Sequence, residues 1–204
     1  MVSRDAKALR SGALQDNMTA GKYHIDISDQ QTLLSVKPSD VKTIMRQVLY
    51  DEKVAAADIS LAIVDNDTIW DLNQRYLCHD SPTDVLSFLL DVEASEEGDV
   101  DGPTDDSATR PRGSGKKIDG ELIVSAEMAV ETAEKYGWTA YNELVLYIVH
   151  GLLHLCGYDD QSDSERKLMR SRERDVLKRW NLSPRETTIT EAPVAPDASP
   201  SEAD

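Results

Sequence analysis

The stretch Leu144-Val145-Leu146-Tyr147-Ile148-Val149-His150-Gly151-Leu152-Leu153-His154-Leu155-Cys156-Gly157-Tyr158-Asp159-Asp160 sets the architecture of this chain. From Asn142 to Cys156 it is apolar on nearly every side, and a helix apolar all round is a buried one. His150 and His154 stand one turn apart, so their side chains share a face. A buried imidazole without a partner costs about 1–3 kcal/mol, so two on one dry face need a common explanation. Zinc supplies it. The ion favours imidazole nitrogen and carboxylate oxygen, and three protein ligands leave a position open, as in catalytic rather than structural sites. Gly157 closes the helix, and a turn there brings a third donor back towards the pair. The competing reading is two core histidines satisfied by backbone or carboxylate. It gives no reason for the pair, the glycine and the following acids to occur together.

Beyond this helix, 204 residues suffice for one domain with a sizeable core and polar margins. Two cysteines cannot make a disulfide framework, and the N-terminal stretch lacks the apolar core of a secretory signal. No apolar run approaches the ~20 residues needed to cross a bilayer. A cytoplasmic protein without a membrane partner is expected. The net charge is −16, of which residues 91–119 carry −5 and residues 183–204 carry −4. The acidity is therefore concentrated in segments without hydrophobic patterning, although it still speaks against a broad basic footprint for nucleic acid.

Residues 1–22 read as a disordered tail, and the domain spans 23–182. Tyr23 to Ser28 alternates as a short strand with His24 on its solvent side. A helix follows Pro38, with Ser39 or Asp40 as its cap and Val41, Ile44, Met45, Val48 and Leu49 on one buried face. Asp58 to Asp65 reads as a strand; Asn66 or Asp67 then caps a helix through Ile69, Leu72 and Tyr76. Thr83, Asp84 and Ser87 at the entrance of the next strand either line a cleft or serve the turn around Pro82, and residue types leave both open. His79 reads as a surface residue, Cys78 and Cys156 as small core residues. Residues 91–117 read as a flexible acidic insertion whose flanking strands pair as an extended hairpin, with the Phe88 strand beside the Leu122 strand. Ser125 begins a helix through Tyr136, and Thr139 caps the histidine helix. Ser162 to Trp180 is a charged amphipathic helix whose bases alternate with acids, a solvated face laced with ion pairs. Residues 183–204 read as a second disordered tail.

Two motifs in this order resemble the bacterial YbeY family. His150 to Asp160 is similar to its signature His-Gly-x-Leu-His-Leu-x-Gly-Tyr-Asp-His, and Leu72-Asn73, Tyr76, Asp80 and Pro82 to Phe88 match its second motif. Gly120, Ile123, Ser125, Glu143, Met169 and Glu173 agree as well. The resemblance covers residues 23–180 apart from the insertion. It implies a single α/β (α+β) domain, a mixed sheet of about four strands with surrounding helices, and a zinc site at the end of the buried helix, one Zn2+ per chain. The activity implied is that of a single-strand-specific endoribonuclease in ribosomal RNA maturation and ribosome quality control. Its partners are ribosomal RNA and the small subunit, with no DNA specificity.

Three positions depart from the family pattern: Asp160 replaces its third histidine, Leu77 an arginine, and Glu121 an acid after the strand glycine. Asp160 keeps the ligand spacing and the chemistry of a zinc ligand. The metal set carried over is therefore His150, His154 and Asp160, with Asp159 supporting it from behind. A carboxylate offsets part of the metal's charge, weakens its Lewis acidity and admits harder ions such as Mn2+. Leu77 cannot bind a phosphate as an arginine would. Arg75 is the candidate to do so in its place, lining the substrate cleft with Asp84 and Ser87. A metal-polarised water is the expected nucleophile, and the sequence names no general base. Two other functions fit the pattern: a ribosome-assembly factor with structural zinc, and a zinc metallopeptidase. Against the peptidase, Gly151 occupies the position of the glutamate general base.

Overall fold

The computed structural model describes residues 21–77, 83–94 and 111–182. Both terminal tails, the centre of the insertion, and Cys78, His79, Asp80, Ser81 and Pro82 lie outside the described residues. Strand β1 (Tyr23–Asp29), helix α1 (Pro38–Asp51), strand β2 (Ala56–Val64) and helix α2 (Asn66–Leu77) come first. Strands β3 (Val85–Ala94) and β4 (Lys116–Ser125) follow, then helices α3 (Ala126–Tyr136), α4 (Ala140–Cys156) and α5 (Asp163–Leu177), the last continuing as a 3-10 turn to Trp180. The strands form one mixed sheet in the order β1-β2-β4-β3. β1, β2 and β4 are parallel, and β3 runs antiparallel to β4. The architecture is a single α+β domain.

Period-two alternation decides which face each strand side chain takes. Tyr23, Ile25, Ile59, Leu61, Ile63, Ile118, Leu122 and Val124 point to one face, where α1 and α4 cover them in the main core. On the other face α2 covers a smaller cluster of Val64, Ile69, Leu86 and Ile123. α4 lies against the sheet because two glycines permit it. A Cβ on Gly151 would come within 2.8 Å of a Leu122 methyl and 3.0 Å of a Val85 methyl, and one on Gly120 within 2.9 Å of Leu155. Helix and strand therefore pack closely at these two positions, the methyls of one lying against the bare glycine backbone of the other.

The expected hairpin is present. Ser87 pairs with Leu122 and Phe88 with Glu121, with a bulge between Leu89 and Asp91. Both strands run further than expected, to Ala94 and from Lys116, so residues 91–94 and 116–117 belong to the sheet rather than to an insertion. Two helix caps also differ. Lys37 precedes α1 with Pro38 at its first position, so Ser39 and Asp40 lie inside the first turn. Asp65 caps α2, its carboxylate accepting the Thr68 amide at 2.9 Å, while Asn66 instead accepts the Ser125 hydroxyl at 2.6 Å. Tyr76 is exposed, its ring edge-on to Phe88 at 5.9 Å. Thr139, the expected cap, accepts an amide at the start of its helix, and so do Ser125 and Ser162, where helices were expected to begin. No helix among the described residues is long and apolar enough to cross a membrane.

Candidate metal centre

Gly157 takes φ +105°, a left-handed conformation that favours glycine, and ends α4 with its amide on the His154 carbonyl at 2.9 Å. The next amide, of Tyr158, bonds the Leu153 carbonyl at 3.0 Å. This tight reversal buries Tyr158 and turns Asp160 back over the last turn of the helix, beside the two histidines. Asp159 accepts the amides of Asp160 at 2.7 Å and Gln161 at 3.3 Å. It therefore holds the turn that carries Asp160 and makes no hydrogen bond to either histidine.

His150 Nε2 and His154 Nε2 stand 3.0 Å apart, with ring planes at 85°. Asp160 Oδ2 lies 3.9 Å from His150 Nε2, too far for a hydrogen bond. One ligand atom from each of the three residues falls within 4.8 Å of the others. The opposite ring nitrogens are already committed. His150 Nδ1 donates to Glu173 Oε1 at 2.6 Å, and His154 Nδ1 donates to the Tyr158 carbonyl at 3.0 Å. A carboxylate and a carbonyl are acceptors, so both Nδ1 atoms carry the hydrogen, and in the neutral rings both Nε2 atoms are bare lone pairs. Two lone pairs at this distance repel unless a cation lies between them. A proton on one ring does this for a single pair; a divalent ion does it for both rings and Asp160 together.

The electrostatics agree. Burial pushes the His150 pKa down, but the Glu173 hydrogen bond and the charges of Glu173, Asp84 and Asp160 outweigh it and leave the group raised. His154 is lowered, by burial and by the neighbouring His150 charge. The pair thus favours one positive charge and disfavours two.

Helical spacing places Glu143 and Tyr147 on the same stripe of α4 as His150 and His154. Glu143 is buried, and burial raises its carboxyl pKa; the Tyr147 hydroxyl bond opposes the rise and Asp84 adds to it. Asp84 therefore acts electrostatically on both His150 and Glu143, and its side chain accepts the Val85 amide at 2.9 Å. Ser87 is half-buried in β3 opposite Leu122, on the α4 side of the sheet. Arg75 is not gathered into the cluster: it is exposed on α2 and pairs with Asp71 one turn back at 2.6 Å. The residues that orient the rings, Glu173 and the Tyr158 backbone, were not singled out for that role by the sequence. Glu143 and Glu173 entered the sequence reading only as positions agreeing with the family pattern; helical spacing from His150 could have placed Glu143, whereas Glu173 sits on a different helix and offers no spacing to read.

The family model described as Endoribonuclease YbeY matches residues 26–181. A protein of that name from Halalkalibacterium halodurans is 36% identical over 165 residues, covering 78% of this chain and 96% of the relative. One from Bacillus licheniformis is 33% identical over 161 residues, covering 78% and 96%. One from Syntrophomonas wolfei is 39% identical over 125 residues, covering 61% and 74%. The matched span contains the whole sheet from Asp26 onward, the histidine helix, the turn to Asp160 and the helix of Glu173, and with relatives of this identity and coverage it shows that the chain belongs to the YbeY endoribonuclease family.

Proposed function

We propose that this protein is a zinc-dependent, single-strand-specific endoribonuclease acting on ribosomal RNA in the cytoplasm, in maturation and quality control of the small ribosomal subunit. The observation that carries the metal is the pair of bare Nε2 atoms at 3.0 Å with the Asp160 carboxylate beside them. The RNA substrate follows from the relatives, each named an endoribonuclease.

His150, His154 and Asp160 would hold the ion, and two imidazoles with one carboxylate suit zinc. Held there, the ion supplies Lewis acidity and charge neutralisation beside a scissile phosphodiester. Glu173 and the Tyr158 carbonyl keep both Nε2 atoms aimed at that position. Asp84 and Ser87, at the start of β3, face the substrate in this reading. Arg75 reaches a phosphate only by releasing Asp71. Gly151 rules out the glutamate of a metallopeptidase: a Cβ there already meets Leu122 and Val85, so a side chain at 151 points into the core and not at the metal.

Metal-loaded protein incubated with ribosomal RNA precursor and, separately, with casein tests the assignment, with His154→Ala as control. RNA cleavage abolished by the substitution supports the nuclease. Intact RNA with bound zinc supports the assembly-factor reading, which the acidic groups around the site favour. Cleaved casein would contradict both.

A further inference from the structure

Among the described residues, Glu52 is the most deeply buried charged group in the core, at 0% exposure, and lies just past the end of α1. A buried carboxylate is costly unless every lone pair is used, and here the partners come from three separate segments. Oε1 accepts Arg172 Nε of α5 at 2.5 Å. Oε2 accepts the Arg112 amide and the Tyr158 hydroxyl, both at 3.1 Å. The Tyr158 bond spans 106 residues of sequence and ends on the turn that carries the metal site.

Tyr158 is fixed at both ends. Its ring lies under the Arg112 guanidinium at 5.2 Å, and its backbone carbonyl is the acceptor of His154 Nδ1. The carbonyls before it are held as well: Lys116 Nζ bonds the Cys156 carbonyl at 2.9 Å and Arg112 Nη1 the Gly157 carbonyl at 3.1 Å. None of these groups touches the metal position. They define where the Gly157–Asp160 turn stands, and through it the tautomer of His154 and the approach of Asp160.

We infer that Glu52, through its hydrogen bond to the Tyr158 hydroxyl, is a positioning residue for the metal centre, fixing the His154 tautomer and the placement of Asp160. This deepens the metallonuclease reading and rests on it for its purpose, but its test does not depend on RNA cleavage. The distinction from a merely structural role is sharp: a structural role changes the melting temperature alone, whereas a positioning role changes the state of an imidazole several bonds away.

The experiment compares full-length wild type with Tyr158→Phe, Glu52→Gln and the double variant. Tyr158→Phe removes one oxygen and leaves Glu52 bonded to Arg172 and Arg112, so it is the variant expected to keep its fold, checked by thermal unfolding. Two readouts are taken: imidazole nitrogen NMR shifts of His154 in metal-free protein, and the Co2+ dissociation constant with its visible absorption spectrum. Each single variant is expected to mix the Nε2–H tautomer into His154, to weaken Co2+ binding about tenfold, and to alter the spectrum. The double variant is expected to be no worse than Glu52→Gln alone: glutamine has a single acceptor oxygen, which Arg172 Nε takes, so the amide NH2 left towards Tyr158 no longer accepts its hydroxyl. An unchanged His154 tautomer and unchanged Co2+ affinity in a folded Tyr158→Phe protein would overturn the inference, and so would losses that add in the double variant. Should wild type bind Co2+ but cleave no RNA, the nuclease reading fails and this inference stands or falls on the two readouts alone.

Discussion

Glu173 Oε1 lies 2.6 Å from His150 Nδ1, although the two residues sit on different helices. The carboxylate is almost fully buried, with 9% of its side chain exposed. A charge-assisted bond in that setting both fixes the ring and raises the basicity of its far nitrogen. Replacing Glu173 by Gln keeps the size and an acceptor oxygen but removes the charge. Metal affinity, read by competition with a chromophoric chelator, is expected to fall about 10-fold or more. Affinity equal to wild type would show that Glu173 serves packing alone.

Asp160 stands where the signature that the sequence resembles has a third histidine, and its half-exposed carboxylate has no hydrogen bond to either histidine. A carboxylate admits harder ions, whereas imidazole favours zinc over manganese. Asp160→His is therefore expected to raise the ratio of zinc to manganese affinity, measured by paired titrations, and to leave zinc stoichiometry unchanged. A ratio that stays the same or falls would remove Asp160 from the ligand set.

Burial holds the Glu143 carboxyl above the usual carboxylate range, with the Tyr147 hydroxyl bond opposing and the charge of Asp84 reinforcing it. The folded protein therefore keeps a proton that the unfolded chain has released. Stability from this group is present in full below the unfolded pKa and is lost as pH rises through the raised folded value. Glutamine is neutral throughout. Glu143→Gln is expected to be more stable than wild type at about pH 8, with the gain gone by about pH 4. Urea unfolding at the two values checks this, and a gain that does not vary with pH would contradict it.

Gly151 owes its identity to the sheet. A methyl at 151 would sit 2.8 Å from Leu122, whose side chain is fully buried, and 3.0 Å from Val85. Alanine favours a helix over glycine by up to about 1 kcal/mol, and overpacking a filled core costs about 1–3 kcal/mol. Gly151→Ala is expected to destabilise the protein on balance, read as a lower denaturation midpoint. A raised midpoint would show that α4 can lift from β4 without loss.

The histidine helix, its Thr139 and Gly157 ends and the β3–β4 pairing were legible because each is written locally, in helical spacing, a cap residue or an interrupted hairpin. Asp160 was legible as a donor, and the structure brings it to the histidines. The caps at Lys37 and Asp65 were displaced by one to three residues, since several polar residues at a helix start compete and backbone conformation picks the winner. Glu52, Arg172 and Glu173 could not be read as part of the site. Their partners lie 23 to 120 residues away, and only the packing of α1, α5 and the β3–β4 hairpin base around the turn brings them together. Arg172 in particular read as one base on a solvated face, yet it crosses to a fully buried carboxylate. Arg75 shows the opposite situation: the acid it meets, Asp71, is one turn away on its own helix.

The central claim is that His150, His154 and Asp160 together hold a divalent ion. Metal content by elemental analysis, on wild type, His154→Ala and Asp160→Ala purified alike and checked for native unfolding, tests it most directly. The account predicts about one zinc per chain in wild type, set by one three-ligand site, with its loss in His154→Ala and marked depletion in Asp160→Ala. Undiminished zinc in a folded His154→Ala protein would contradict it.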